Sequence, residues 1–398
     1  SLVNSVVVMN INRAGIVADA VKISAAGGAG LNSFEVLSSQ FNIHVNVASS
    51  TICSGINMTG IRAASFSDLK INAFGPSKLA DPAQNTQVAG LLLFTSFPDL
   101  KNVTVTGNGL GKIYGILCDV VSIPTISESR ITNCYAGVYA RFFSGGTISG
   151  TTISDCTIGV MVDSTSNLTL SSCKITTAAT GILVTDKSWV SLTSCDISKT
   201  NVTLPISLDL GSTAWSLSST FDDDKVAFKD ENCTLIINWM LQLKVTWQND
   251  VPIAGADVRV TDKTGATVLR ATSGDGGIVP WFFVTEYIQT KFTVQTFFSP
   301  YLINASISDF FGEAGVVTDE SKEVQVKVSD TAMPVLKVVS PEDNIYQSFT
   351  TVFLSGTATD LGSGLGMLDF SYDGVNWVQT PATGAWTHIM EVPEGAYT

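Results

Sequence analysis

Four successive segments of the chain read GILCDVVSIPTISESRITNCYA (115–136), GVYARFFSGGTISGTTISDCTI (137–158), GVMVDSTSNLTLSSCKITTAAT (159–180) and GILVTDKSWVSLTSCDISKT (181–200). The period is 22 residues, and equivalent positions carry similar side chains in every segment. Repetition at about 20–50 residues indicates an array of stacked units, each of which buries its apolar side chains against the next. This repeat therefore sets the architecture of the first part of the chain.

Apolar residues recur in fixed columns of the repeat. They are Ile116, Val138, Val160 and Ile182; Ile126, Ile148, Leu170 and Leu192; and Ile131, Ile153, Ile175 and Ile197. The runs between the glycines are short and β-type, without helical periodicity. Coils stacked at the strand spacing of about 4.8 Å would pair as parallel strands around a continuous apolar core. The pattern predicts a parallel β-helix, with Gly115, Gly137, Gly159 and Gly181 at corners where φ is positive.

Degraded forms of the repeat extend upstream. The segments 66–71 and 100–105 fit one coil each, and Gly15 and Gly60 are candidate earlier corners. The segment 75–87, which contains two prolines, is a long insertion into one coil. We therefore expect about nine coils over residues 1–239, which gives a rod of roughly 40–45 Å.

The repeat pattern Ile-x-x-(Ser/Thr/Cys)-x-Ile-x-x-(Cys/Ala/Thr)-x-x-Gly-(Ile/Val) resembles that of the NosD-type, pectin-lyase-like right-handed β-helix. In that family asparagine usually fills the two small-residue columns. Here they hold Ser129, Thr151, Cys173 and Cys195, and Cys134, Cys156, Ala178 and Thr200. The resemblance covers roughly residues 1–239 and implies the fold. It does not specify a function, because this fold hosts lyases, hydrolases, epimerases, adhesins and inert spacers.

Two further domains are expected after the repeat. Alternation begins at 241–247, and the run 251–262 resembles the carboxypeptidase-regulatory-like β-sandwich family, which implies a spacer domain over residues 240–330. From 331 to 398 the sequence resembles a bacterial and archaeal Ig-like module that is incomplete at its C-terminus. The predicted fold class is all-β: a right-handed parallel β-helix of about nine coils followed by two small β-sandwich domains. This domain order is similar to that of large archaeal surface proteins.

The composition narrows the classes of function. Charged residues make up 14% of the chain, against about 25% in ordinary soluble domains, which suggests a surface that packs against neighbours. The formal net charge of −13 argues against nucleic acid, whose phosphates need a basic face. No run of about 18 apolar residues is present, so the sequence predicts no transmembrane segment. We expect an extracellular protein of the cell surface.

All seven cysteines lie within the β-helix segment. Cys134 and Cys156, and likewise Cys173 and Cys195, are expected to stack on adjacent coils. Their Cβ atoms would lie about 4.8 Å apart, whereas a disulfide prefers roughly 3.8 Å. We therefore predict buried, reduced thiols; zinc binding is the alternative, but no Cys-x-x-Cys spacing supports it.

The sequence offers few candidates for catalysis or cofactor binding. His44 and His388 lack glycine neighbours, and Arg130–Thr132 matches only two-thirds of the Arg-Ile-Lys motif of hydrolases with this fold. We expect no catalytic residue and no cofactor, because no paired titratable groups are evident. The only acidic cluster, a weak candidate for Ca2+ that otherwise forms a solvated turn, consists of Asp222, Asp223 and Asp224.

Hydroxyl side chains form two outward columns of the repeat. They are Ser127, Ser149, Ser171 and Thr193, and Thr132, Ser154, Thr176 and Ser198. Such ladders could bind glycans or ice or carry O-linked sugar, whereas the simpler interpretation is that Ser and Thr tolerate exposed strands. Asn-x-Ser/Thr sequons, candidates for N-glycosylation, occur at Asn57, Asn102, Asn167, Asn201, Asn232 and Asn304. If the protein is secreted by an archaeon or a eukaryote, we expect some of them to carry sugar, and Asn57 and Asn304, which we expect to be exposed, are the preferred sites.

Three features favour a structural role: a charge-poor rod, a first coil that starts directly in strand-like sequence at Leu2, and spacer modules expected to continue past residue 398. An open strand edge on that coil is a template for pairing, so we expect preceding residues or a partner there. The predicted function is a non-enzymatic structural protein of the cell surface that self-assembles as a surface-layer or extracellular filament subunit. The alternative is a glycan-binding adhesin that uses the outward Ser/Thr face or the 75–87 loop; a polysaccharide-cleaving enzyme is a distant third.

Overall fold

The computed structural model describes residues 2–11, 17–24, 35–45, 52–75, 87–198, 201–290, 295–342, 350–360, 362–381 and 384–393. The chain divides into two compact units. The first comprises Ser1–Met240, Phe283–Phe298 and Asp319–Ser321, and the second Leu241–Phe282, Ser299–Thr318 and Lys322–Thr398. Residues 283–298 and 319–321 thus belong to the first unit, although they fall within the span 240–330 that the sequence assigns to the second domain.

The first unit is a parallel β-helix in which successive coils contribute strands to three sheets. Equivalent residues of neighbouring coils pair in parallel register, as Ile126 does with Ile148 and Ile148 with Leu170. The first sheet contains Leu2–Val3, Glu35–Leu37, Ala64–Ser67, Pro98–Lys101, Thr125–Ser127, Thr147–Ser149, Asn167–Ser171, Trp189–Thr193, Thr213–Leu217 and the start of Thr234–Trp247. The second contains Val6–Ile11, Gln40–Val45, Lys70–Phe74, Thr104–Thr106, Arg130–Thr132, the starts of Thr152–Val162 and Lys174–Val184, and Asp196–Ile197.

The third sheet completes each coil. It contains Val17–Ser24, Ile52–Thr59, Gln87–Phe94, Lys112–Asp119, Ala136–Arg141, the ends of Thr152–Val162 and Lys174–Val184, Val202–Leu208 and Ala227–Phe228. Isoleucine, valine and leucine columns from the three sheets meet in one continuous core, in which Ile131, Ile153 and Ile175 are buried one above another. The predicted stacking of like side chains on like is therefore confirmed.

The recurrent glycines serve a different purpose from the one predicted. Gly159 lies inside the strand Thr152–Val162, and neither it nor its three equivalents has a positive φ. A Cβ atom at Gly159 would lie 2.5 Å from the carbonyl oxygen of Gly181 and 2.8 Å from Ile175 Cγ2. The expectation of positive-φ corners is therefore wrong for these glycines. They are required because adjacent coils approach too closely for any side chain.

The corners between the first and second sheets use other residues. Each has φ between 47° and 55°, and they are Asn4, Ser38, Asp68, Asn102, Glu128, Gly150, Ser172, Ser194 and Ser218. Short polar side chains tolerate this left-handed conformation better than most. Gly60, one of the two predicted upstream corners, also has a positive φ of 69°, whereas Gly15 lies outside the described residues.

Buried hydroxyl and thiol groups satisfy backbone groups at the corners. Thr151 Oγ1 donates to the Ser149 carbonyl at 2.9 Å and accepts the Ser129 N–H at 3.3 Å. Cys173 occupies the next position of this column, and its Sγ donates to the Ser171 carbonyl at 3.4 Å. A second buried ladder, which the sequence analysis missed, runs through Ser96, Ser122, Ser144, Ser166 and Ser188, each of which accepts the backbone N–H of the preceding coil. The small-residue columns are therefore polar contacts between coils rather than mere space fillers.

The seven cysteines are free and buried, as predicted. Burial, together with the nearby Asp119 carboxylate, raises the pKa of the Cys118 thiol to about 12. A thiol with such a pKa stays protonated and unreactive at neutral pH. Cys118 is therefore a structural member of the coil.

Residues 283–289 close the last coil of the β-helix. The strand Ile278–Gln289 pairs with Thr234–Trp247, and Tyr287 is buried in the same core as the coils. The Tyr287 hydroxyl donates to Asp223 Oδ2 at 3.0 Å, and Trp239 Nε1 donates to Glu286 Oε2 at 2.6 Å. A downstream segment thus covers apolar side chains that the final coil would otherwise expose.

The Glu286 carboxyl makes this closure dependent on pH. Burial raises the pKa of Glu286 above its usual range, and the negative charges of Asp223 and Asp319 add to this effect. The hydrogen bond from Trp239 lowers the pKa but does not cancel the rise. Because the folded-state pKa exceeds the unfolded one of about 4.3, protonated Glu286 stabilises the folded unit at low pH, and this contribution is lost as pH rises through the raised value. We therefore expect wild-type stability to fall relative to Glu286→Gln as the pH rises from about 4 through the raised pKa of Glu286, measured by urea unfolding. The exposed Glu231→Gln is the control, and parallel curves for wild type and Glu286→Gln would contradict the prediction.

The second unit is built mainly of antiparallel β-structure. Its strands are Asp257–Thr261, Thr267–Thr272, Tyr301–Ile307, Phe310–Val316, Lys322–Val328, Val335–Ser340, Thr351–Thr359, Met367–Phe370, Val378–Pro381 and Ala385–Glu391. The predicted alternation at 241–247 is confirmed, because Leu241, Leu243 and Val245 are buried, and this segment pairs in parallel with Lys322–Val328. The all-β fold class is confirmed, with a parallel β-helix followed by further β-sheets; the regulatory-like and Ig-like assignments remain predictions.

Helical structure in the described ranges is confined to the 3-10 turns Asp223–Lys225 and Asp275–Gly277. Strand Gln295–Phe297 completes the elements of the first unit. Among the described residues there is no helix with the length and hydropathy required to cross a membrane.

Candidate functional site

The acidic cluster Asp222, Asp223 and Asp224 lies at the 3-10 turn near the end of the β-helix. Asp222 Oδ2 pairs with Lys225 Nζ at 2.8 Å, and Asp223 Oδ2 accepts the Tyr287 hydroxyl at 3.0 Å. Over the ranges that the structure covers, no group of three or more His, Cys, Asp or Glu side chains is arranged to hold a metal ion. Two of the three carboxylates are thus engaged by protein groups.

The sequons differ in accessibility. Four of the asparagines are exposed, namely Asn102, Asn167, Asn201 and Asn232. Asn57 and Asn304, which lie in the strands Ile52–Thr59 and Tyr301–Ile307, are only partly exposed. Asn57 Nδ2 also donates to Asp19 Oδ2 at 3.0 Å. The expectation that these two would be the exposed sequons is therefore wrong.

The two hydroxyl columns stand in register, as the period predicts. Ser127, Ser149, Ser171 and Thr193 pair successively along the first sheet, and Thr132, Ser154 and Thr176 along the second. Most of these side chains are half-buried, and Ser154 is buried. Thr125, Thr147 and Thr169 are the more exposed hydroxyls of the first sheet. Most of the predicted binding loop 75–87 lies outside the described residues.

A charged row that the sequence analysis missed lies at the end of the third-sheet strands. Asp119, Arg141 and Asp163 occupy equivalent positions of three successive coils, and we call them the Asp–Arg–Asp row. Arg141 Nη2 lies 2.7 Å from Asp119 Oδ2, and the Tyr139 hydroxyl donates to Asp163 Oδ2 at 3.1 Å. Burial, followed by the Asp163 charge, raises the pKa of Tyr139 to about 12, so this hydroxyl remains a donor. The row was visible in the repeat as one charged position in three coils, but sequence alone did not show what surrounds it.

Two polar atoms of the row are buried without a hydrogen-bond partner. They are Asp119 Oδ1 and Arg141 Nε. The Arg141 Cζ atom lies 5.5 Å from the centre of the Tyr139 ring and 5.3 Å from that of Phe142, so aromatic rings cover the guanidinium. A buried polar atom without a partner costs about 1–3 kcal/mol, so the row holds unused hydrogen-bonding capacity at a cost to stability.

The corner next to the row carries exposed aromatic residues in an unfavourable backbone conformation. Phe142 and Phe143 have φ of 55° and 61°, and their side chains are 45% and 67% exposed. Val120 and Val121 take the same conformation one coil earlier, with φ of 46° and 56°. The left-handed conformation costs a bulky L-residue about 1–2 kcal/mol. We call Phe94, Val121, Ile123, Phe142 and Phe143, all exposed, the aromatic corner.

Residues 54–223 match the family model of the right-handed β-helix region, which confirms the predicted handedness and fold of this part of the chain. The match covers less than half of the 398 residues. No curated protein matches the sequence.

Two solved structures show a weak likeness. One is a DUF3823 family protein from Parabacteroides merdae, with 10% identity, 39% of this chain and 80% of that chain covered, and a TM-score of 0.19. The other is the full-length tailspike protein 2 of Escherichia coli O157:H7 bacteriophage CAB120. It is 10% identical in sequence, the match covers 69% of this chain and 62% of the tailspike, and the TM-score is 0.21. This chain therefore spans less than two-thirds of the tailspike. At these TM-scores neither likeness bears on fold or function.

Proposed function

We propose that this chain is a non-enzymatic structural protein of a cell surface that self-assembles as a subunit of a surface layer or extracellular filament. The observation that supports the proposal most is the continuity of the β-helix. Apolar, glycine and hydroxyl ladders connect each coil to the next, which favours a stiff scaffold. Such a scaffold suits a mechanical or spacing role.

The outward face of the first sheet supports self-association. Over four coils its outward positions carry no charged side chain: Thr125, Ser127, Thr147, Ser149, Asn167, Thr169, Ser171, Trp189, Ser191 and Thr193. Two such faces can pack together without burying a charged side chain. They therefore avoid the free-energy cost of removing charged groups from water. A second copy of the chain is therefore a suitable partner for this face.

Negative-stain microscopy of the purified native protein, with and without Ca2+, tests the proposal. We expect tubes, sheets or filaments from the wild type. The double variant Thr147→Glu, Thr169→Glu places two like charges opposite each other on the face and should leave dispersed particles. The control, Thr157→Glu with Ala179→Glu, adds the same charges at exposed positions of the same two coils outside this face. Dispersed wild-type particles under every condition, or assemblies from both variants alike, would overturn it.

A further inference from the structure

The aromatic corner and the Asp–Arg–Asp row are adjacent parts of one surface. Phe142 directly follows Arg141 in the chain, and its ring packs over the guanidinium. Backbone hydrogen bonds connect this corner to the same corner of the neighbouring coils. The Val121 N–H donates to the Phe142 carbonyl, and the Phe143 N–H donates to the Ser164 carbonyl. The exposed apolar side chains and the charged row therefore lie next to each other on the coils of Asp119 and Arg141.

The fold alone does not require aromatic residues at this corner. The next coil takes the same left-handed conformation with Ser164 and Thr165, at φ of 55° and 60°. Small polar residues thus meet the needs of the turn. Phe142 and Phe143 add strain and expose apolar surface to water, and strained residues of this kind concentrate at functional sites. Exposed rings beside buried polar atoms without partners form the usual combination of a ligand site.

The chemistry of the two strips defines the ligand. The exposed rings offer flat apolar faces, whereas the row offers carboxylate acceptors and a guanidinium donor. Two carboxylates and one guanidinium leave the row with a net negative charge, which disfavours anionic ligands. An acyl chain would match the rings but leave the row unused. A pyranose has an apolar face and a rim of neighbouring hydroxyls that both donate and accept.

We propose that the aromatic corner and the Asp–Arg–Asp row together bind a neutral saccharide. The sugar ring stacks on Phe143 and Phe142. Two neighbouring hydroxyls supply a donor to Asp119 Oδ1 and an acceptor to Arg141 Nε once the Phe142 ring turns aside. This surface differs from the Ser/Thr face and the 75–87 loop, and it goes beyond a purely structural role.

Binding to an array of immobilised neutral oligosaccharides and uronate-containing counterparts tests the inference with the full chain. The variant Phe142→Ser, Phe143→Thr gives this coil the residues that the next coil uses, so it should fold at least as well as the wild type. We expect wild type to bind neutral oligosaccharides in preference to uronates, and the double variant to lose about tenfold or more in affinity. Trp189→Thr, which removes an exposed aromatic side chain of the first sheet, should bind like the wild type.

A second variant tests the charge of the row. Asp163→Asn keeps an acceptor for the Tyr139 hydroxyl but removes one negative charge, so uronate-containing oligosaccharides should bind better than they do to the wild type. The inference is overturned if wild type binds no neutral oligosaccharide, or if the double variant binds as tightly. It is also overturned if Phe142→Ser, Phe143→Thr abolishes assemblies in the microscope or binding to phosphatidylcholine vesicles instead, because the corner would then serve a second copy or a lipid surface.

Discussion

Replacing Gly159 with alanine is expected to destabilise the β-helix by about 3 kcal/mol, the upper end of the usual cost of overpacking. The added Cβ would meet the Gly181 carbonyl oxygen at 2.5 Å and Ile175 Cγ2 at 2.8 Å. The first contact is with backbone that is fixed by parallel pairing on both sides, so the coils must separate to relieve it. Hydrogen exchange of amides in the strands 152–162 and 174–184 measures the effect.

Gly150→Ser is the matched control on the same coil. Gly150 has a φ of 54°, and its Cβ would meet no atom closer than 3.9 Å. Glu128, Ser172 and Ser194 occupy the equivalent corner with nearly the same φ. We expect a cost of about 1 kcal/mol or less. Equal effects of the two substitutions would contradict the view that interior glycines serve close approach and corner glycines serve φ.

Tyr287→Ala is expected to destabilise the first unit by about 3–5 kcal/mol, the usual cost of removing a large buried aromatic side chain. Tyr287 is 1% exposed and belongs to the core of the β-helix, although it lies beyond residue 240 in the sequence. Its removal leaves a cavity against the last coil and an unpaired Asp223 carboxylate. Hydrogen exchange in Thr213–Leu217 and Val202–Leu208 should rise with global unfolding of this unit.

Tyr287→Phe separates packing from hydrogen bonding. It keeps the ring and loses only the 3.0 Å bond to Asp223, so we expect a cost of about 1 kcal/mol. If Tyr287→Ala accelerated exchange only in the second unit, the assignment of residues 283–298 to the β-helix would be refuted.

The period of the sequence was sufficient to predict the fold. Like residues at a spacing of 22 place Ile131, Ile153 and Ile175 in one column, and parallel pairing follows from that alone. The role of Gly159 was not predictable in the same way. A glycine that permits positive φ and a glycine that permits close approach look identical in sequence, and only the coil-to-coil distance distinguishes them.

The candidate binding surface was harder to predict for a related reason. Asp119, Arg141 and Asp163 share one column, but the repeat does not reveal that aromatic rings cover Arg141 or that two polar atoms lack partners. The closure of the β-helix by Tyr287 was equally hidden, because the contact joins residues 64 positions apart in the chain. Contacts that recur in every coil can be inferred from the repeat. The surroundings of Arg141 and the contact between Tyr287 and Asp223 each occur only once, so the repeat does not predict them.

Coil length varies at some corners but not at others. Two residues always separate the first-sheet strand from the second in the coils from Thr125 to Ile197, whereas Gly181 is followed 24 residues later by Pro205 in the glycine column rather than 22. The surplus falls between Asp196–Ile197 and Val202–Leu208, the same corner that holds the 75–87 insertion. Ten residues also separate Val17–Ser24 from Glu35–Leu37, against five between Lys112–Asp119 and Thr125–Ser127, so both corners that border the third sheet vary in length while the corner between the first and second sheets does not. Insertions can therefore be accommodated at the corners that vary in length without disturbing the ladders that hold successive coils together.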